Sequence, residues 1–76
     1  MQITIADVRE IIEEADTMVE MNELNNTDSL IEQGVDSLDM ANIYLMLEEK
    51  YEIQLPDEDV SQLQTIDKIV EYITAK

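Results

Sequence analysis

Gly34-Val35-Asp36-Ser37-Leu38, continuing without a break into Asp39-Met40-Ala41-Asn42-Ile43-Tyr44-Leu45-Met46-Leu47-Glu48-Glu49-Lys50-Tyr51, decides how this chain is read. The segment passes from a polar loop into the strongest helical run of the sequence, Ser37 to about Tyr51. Asp36 is a strong N-cap residue and Asp39 follows three positions later in a box-like pattern, which makes Ser37 the first helical residue. A hydroxyl is thereby set at the positive end of a helix, where backbone N–H groups and the macrodipole favour an anion such as a phosphate ester. Gly34, the only glycine, supplies the backbone freedom that a sharp entry into that helix requires.

Around this helix the apolar residues fall into two groups. Met40, Ile43, Tyr44, Leu47 and Tyr51 share one side, a broad stripe suited to a core, while Leu38, Ala41 and Leu45 form a second stripe roughly opposite. A helix at the edge of a small bundle cannot easily bury both. Glu48, Glu49 and Glu52 border the second stripe, so it reads as a small apolar strip with an acidic rim, facing a partner. The alternative is that Leu38 and Leu45 pack inward against the preceding loop.

Toward the amino terminus, helical spacing fails from Thr17 to Asp36, and Asn22-Glu23-Leu24-Asn25-Asn26-Thr27-Asp28-Ser29 is dominated by turn formers. A loop of about 20 residues is uncommon in so small a domain; Leu24, Leu30 and Ile31 are the residues available to pin it to the core. Before it, Ile5, Val8, Ile12, Ala15 and Val19 recur at three-and-four spacing behind Thr4 as a cap, which predicts a helix from Ile5 to about Asp16 with Glu10, Glu13 and Glu14 on its solvent side. Toward the carboxyl terminus, Ile53, Leu55 and Pro56 close the connection, and Pro56-Asp57-Glu58-Asp59-Val60 starts a short helix with acids in its first turn. Thr65 caps a last helix from about Ile66 to Thr74, with Ile66, Ile69, Val70 and Ile73 as its core stripe and Tyr72 partly exposed. The predicted fold class is all-α: a small antiparallel bundle of three principal helices plus one short helix, with a long first loop, as a single domain over residues 1–76.

Composition limits the chemistry. A domain of 76 residues buries only about 60% of its unfolded surface and has little room for a deep cleft. With no Cys and no His, the chain lacks disulfides, thiolate nucleophiles, Ser-His and Cys-His pairs and the usual zinc ligands. Neither Asp28 to Asp39 nor Asp57 to Asp67 has the alternating ligands, central glycine and terminal glutamate of a calcium-binding EF-hand loop. No metal site is therefore predicted. No run approaches the roughly 20 apolar residues of a membrane span, and Met1-Gln2-Ile3-Thr4-Ile5 lacks a basic region followed by an apolar run. The expectation is a soluble cytoplasmic monomer. Nineteen acidic residues against four basic ones, a formal charge of −15, argue against nucleic acid and anionic membranes as partners and for basic protein surfaces.

Gly34-Val35-Asp36-Ser37-Leu38-Asp39 resembles the attachment motif of acyl carrier proteins. Leu47-Glu48-Glu49-Lys50-Tyr51, Leu55-Pro56-Asp57-Glu58, and Thr65-Ile66 through Glu71-Tyr72-Ile73 resemble further stretches of that family in the same order and spacing. The resemblance implies that Ser37, flanked by Asp36 and Leu38, carries 4′-phosphopantetheine, placed there by a phosphopantetheinyl transferase. It implies a docking face of Leu38, Asp39, Ala41, Leu45, Glu48, Glu49 and Glu52 for acyl-loading and acyl-processing enzymes with basic docking surfaces. It also implies an acyl cavity near Met40, Leu47, Leu55, Val60 and Ile69. Gln33 stands where an apolar residue commonly precedes the glycine, and Leu30-Ile31-Glu32-Gln33-Gly34 is shorter than in many fatty-acid carriers. Asn42 replaces a frequent acid, which re-tunes contact with a basic partner. Ile69 is larger than the small residue often matched there, so the expected cavity is reduced and suited to short or polar cargo.

The resemblance thus implies carriage rather than catalysis: an acyl carrier in fatty-acid, polyketide or a specialised acyl metabolism. An aminoacyl or peptidyl carrier would use the same chemistry with different cargo. A third reading, from a different class, is an unmodified acidic helical adaptor that binds a basic partner through Leu38, Ala41 and Leu45.

Overall fold

Thr4 and Asp7 close a reciprocal box at the start of the first helix, α1 (Ile5–Glu14). Asp7 N–H donates to Thr4 Oγ1 at 3.2 Å and Thr4 N–H donates to the Asp7 carboxylate at 2.9 Å, so two otherwise orphaned donors are satisfied. The computed structural model describes residues 2–75. After α1 come a 3-10 turn (Met21–Glu23), α2 (Ser37–Tyr51), the short α3 (Asp57–Val60) and α4 (Ile66–Thr74). The described residues contain no strand, and the architecture is all-helical as the sequence predicts.

Helix α1 stops at Glu14, short of the expected Asp16, because Asp16 turns into the left-handed region with φ of 56°. Its buried stripe is Val8, Ile11 and Ile12; Ile5 is 37% exposed and Val19 lies beyond the helix, so the stripe begins one turn later than the spacing alone indicates. This stripe packs against α4 and α2. Ile43 and Leu47 of α2, Leu63, and Ile66, Ile69 and Ile73 of α4 complete the centre of the core, each at most 1% exposed. Thr65 caps α4 as expected, its hydroxyl oxygen accepting from Lys68 N–H at 3.0 Å. Pro56 is the N-cap of α3 rather than its first residue, and its carbonyl accepts from both Asp59 and Val60 N–H.

The long loop between α1 and α2 is held by side chains that no local pattern announces. The Arg9 guanidinium donates to the Leu24 carbonyl at 3.0 Å, to Asn26 Oδ1 at 2.9 Å and to the Met21 carbonyl. Gln33 clasps the next turn: its amide donates to the Asn25 and Asp28 carbonyls and its oxygen accepts from Asn25 N–H at 2.7 Å. The polar residue before the glycine is therefore a staple of the loop. Backbone bonds from Leu30 N–H to the Gln64 carbonyl (2.8 Å) and from Asp67 N–H to the Asn26 carbonyl (3.0 Å) tie the loop to the α3–α4 connection and to the first turn of α4. Leu24 and Leu30 are buried as expected, joined by Val35, but Ile31 is 47% exposed. Leu30 and Ile31 occupy consecutive positions in a tight turn, so only one of them can face the core.

Candidate functional site

Ser37 opens α2, immediately after the turn that Gly34 permits. Gly34 has φ of +108°, and a Cβ there would lie 3.3 Å from Val19 Cγ2, so both conformation and space select glycine. The Asp36 carboxylate accepts from Leu38 N–H at 2.7 Å and from Asp39 N–H at 3.4 Å, while the Asp36 carbonyl accepts from Met40 N–H at 3.0 Å. Asp36 is thus the N-cap that the sequence predicts, taking two of the first-turn donors. Asp39 makes no return bond to Asp36 N–H among the described residues, so the box-like pattern works as a simple cap. Ser37 is exposed, and its hydroxyl has no hydrogen-bond partner among the described residues.

The outer strip of α2 is open to solvent. Leu38 is 78% exposed, Leu45 52%, and Ala41 and Asn42 are exposed beside them, so neither leucine packs inward against the loop. Glu49 and Glu52 are exposed and Asp39 is half-buried. Glu48 is partly committed elsewhere: its Oε2 accepts from Leu55 N–H at 2.8 Å and fastens the α2–α3 connection. Glu52 takes a left-handed conformation, φ 53°, to end the helix, its N–H bonded to the Glu48 carbonyl. Arg9 is committed to the loop clasp, and the Lys50 ammonium lies 5.9 Å from the centre of the Tyr51 ring.

Beside Ser37 lies a groove of about 510 Å³ between α2 and α3. Its walls are Met40, Ala41, Tyr44 and Leu45 of α2, Ile31 of the loop, and Leu55 and Val60 opposite, with Ser37, Glu48, Asp57 and Gln64 as polar lining. Of the expected cavity residues, Met40, Leu55 and Val60 line it. Leu47 and Ile69 do not: both are wholly buried, on the core-facing stripes of α2 and α4. The sequence reading missed Ile31, Tyr44 and Gln64. Tyr44 was partly legible, because it sits at the edge of the core stripe next to the outer strip. Its hydroxyl donates to the Leu63 carbonyl at 2.8 Å, and burial raises its pKa above the ordinary value of 10.0. No group of His, Cys, Asp or Glu among the described residues could hold a metal ion, and no described helix is long and apolar enough to cross a membrane.

The family model for the phosphopantetheine attachment site matches residues 6–73. The chain belongs to that family. Among curated relatives of this carrier domain, the meromycolate extension acyl carrier protein of Mycobacterium leprae is 40% identical over 70 residues, covering 91% of this chain and 60% of the relative. The protein of that name from Mycolicibacterium aurum is 40% identical over 73 residues, 95% of this chain and 74% of its own. The mitochondrial acyl carrier protein of Neurospora crassa is 42% identical over 43 residues, 57% of this chain and 32% of its own. The carrier domain thus spans about 60% of the length of the first of these relatives. Its geometry suits the family's covalent group: an exposed, unencumbered serine hydroxyl at a helix start, beside a mostly apolar groove. Asp36 already takes the Leu38 and Asp39 N–H groups, so a group at that serine would be held chiefly by its ester bond.

Proposed function

We propose that this chain is one acyl carrier domain, with Ser37 as the residue that bears 4′-phosphopantetheine, and that it presents acyl groups to partner enzymes without catalysing a reaction itself. The arm supplies a terminal thiol on which cargo is held as a thioester. The observation that carries the proposal is the state of Ser37, exposed at the start of α2 and without a hydrogen-bond partner among the described residues. A serine nucleophile of an enzyme needs a base within hydrogen-bond reach, whereas a serine modified by another protein needs only access. The absence of Cys and His is then intelligible, since the reactive thiol comes with the arm.

The exposed Leu38, Ala41 and Leu45, rimmed by Asp39, Glu49 and Glu52, support docking of a phosphopantetheinyl transferase and of acyl-processing enzymes through basic surfaces. Glu48 contributes charge at the edge of this face while holding Leu55. The names of the relatives favour acyl over aminoacyl cargo. A cytoplasmic location fits these partners.

Intact mass before and after incubation with coenzyme A and a broad-specificity phosphopantetheinyl transferase tests the proposal, with fragment mapping of any gain. One phosphopantetheine on Ser37, and none on Ser37→Ala, is the expected result. No gain from a folded, previously unmodified protein would overturn it and leave the acidic adaptor as the better reading.

A further inference from the structure

The polar side chains that line the groove with Ser37 differ in what they can still bind. The Tyr44 hydroxyl already donates to the Leu63 carbonyl at 2.8 Å, and Glu48 Oε2 already accepts from Leu55 N–H at 2.8 Å. Asp57 and Glu48 are carboxylates, able to accept but not to donate, and their charge repels a phosphodiester. Gln64 is the exception. Its side-chain amide carries two N–H donors and a carbonyl acceptor, and it has no hydrogen-bond partner among the described residues. The residue is half-buried, where a polar group gains from finding a partner.

The backbone around Gln64 is pinned. Its own carbonyl accepts from Leu30 N–H at 2.8 Å, the Leu63 carbonyl before it takes the Tyr44 hydroxyl, and Thr65 after it caps α4. An unengaged amide therefore stands on a fixed platform. Gln64 also borders the neighbouring hollow over Thr65 and Lys68, but of the two it is the α2–α3 groove that has Ser37 in its wall. A 4′-phosphopantetheine arm on that serine has two secondary amides between its phosphodiester and its thiol, each with one N–H and one carbonyl. A primary amide matches such a group in both directions, donating to its carbonyl and accepting from its N–H, which a carboxylate cannot do.

We infer that Gln64 holds the arm: its side-chain amide pairs with an amide of the arm and keeps the arm along the groove between encounters with partner enzymes. This rests on the carrier reading of Ser37. It makes Gln64 a positioning residue for the arm itself, whatever the thiol carries, with no part in attaching it.

The test compares holo proteins whose arm is isotopically labelled at both amides, loaded from labelled coenzyme A onto the unaltered protein, Gln64→Leu and Gln64→Met. Intact mass shows equal loading of all three. In the unaltered protein one arm N–H exchanges with water about two- to tenfold more slowly than in free coenzyme A. The Gln64 side-chain N–H signals move between apo and holo forms and show NMR cross-peaks to the arm. In Gln64→Leu both arm amides exchange as they do in free coenzyme A. Exchange of Leu30 N–H, bonded to the Gln64 carbonyl, reports whether leucine has disturbed the connection, and the unbranched Gln64→Met then decides. Arm amides that exchange alike in all three proteins, or Gln64 side-chain signals that stay put between apo and holo forms, overturn the inference while the carrier reading stands. Failure of any mass gain at Ser37 overturns both.

Discussion

Replacing Arg9 is predicted to destabilise the fold more than any surface substitution in the chain. Its guanidinium is half-buried and serves the Met21 and Leu24 carbonyls and Asn26 Oδ1 at once. A hydrogen bond to a charged group contributes about 1.5–3 kcal/mol when well buried, but water reaches part of this side chain and can replace some of what is lost. About 1 kcal/mol per bond is a fair discount, which puts Arg9→Ala at roughly 2–3 kcal/mol. A domain of this size has only about 4–11 kcal/mol in total. At about 4–8 °C per kcal/mol for small domains, the melting temperature should fall by roughly 10–20 °C. Arg9→Lys should lose at least about 1 kcal/mol, because a single ammonium cannot reproduce the fork that meets three acceptors.

Removing Arg9 also deepens the net charge, so the assay must separate clasp from charge. Thermal melts of Arg9, Ala and Lys forms at about 0.1 M and 1 M salt do this, because the screening length shrinks from about 10 Å to about 3 Å while direct hydrogen bonds persist. The gap should survive in high salt. Amide exchange supplies the location: Leu30 and Asp67 N–H, bonded to the Gln64 and Asn26 carbonyls, should lose protection first. A melting temperature lowered by less than about 2 °C, or a gap that closes in high salt, would refute the reasoning.

Gly34→Ala should cost about 1–3 kcal/mol, read as a lowered urea midpoint, since φ of +108° strains any side chain and Val19 crowds the new methyl. Leu38→Ser should leave the melting temperature nearly unchanged, within about 0.5 kcal/mol, because its side chain is 78% exposed; a large loss would mean that Leu38 supports the core. Tyr44 has a folded pKa above 10.0, so the unfolded chain ionises first as pH rises. Its stabilisation is whole below about pH 10 and is lost as pH climbs through the folded pKa, and Tyr44→Phe should flatten that alkaline decline in melting temperature. With a formal charge of −15, the melting temperature should climb as salt is added, and independence from salt would show that self-repulsion is small.

Features decided by neighbours in sequence were legible. The start of α2 at Ser37 follows from Asp36 as a cap, and α4 runs from Ile66 to Thr74 as its spacing and Thr65 dictate. The outward strip of Leu38, Ala41 and Leu45 follows from a wheel that no single edge helix can bury all round. Features decided by distant contacts were not. Nothing near Arg9 indicates that it will reach Met21, Leu24 and Asn26, and a polar Gln33 looks like a defect until its three bonds are seen. The groove shows the same divide: a wheel gives the face on which Leu47 and Ile69 lie but not that both are sealed in the core, whereas Tyr44, a boundary residue, lines the groove.

The cap at Asp36 links the two scales. A helix start with free N–H groups would be an anion site, and a phosphate could then be bound there without any covalent bond. Here Asp36 occupies Leu38 and Asp39 N–H, which stabilises the long helix and leaves fewer first-turn donors for a free anion. What remains at Ser37 is an accessible hydroxyl beside a fixed carboxylate, at the rim of an apolar groove, on a helix whose opposite face is locked into the core by Met40, Ile43 and Leu47. On the carrier reading proposed above, chemistry at this serine is brought by another protein, and the exposed strip of Leu38, Ala41 and Leu45 on the same helix gives that protein a surface in fixed register with the hydroxyl. On that same reading, the core stays unchanged while cargo and partners are exchanged at the surface.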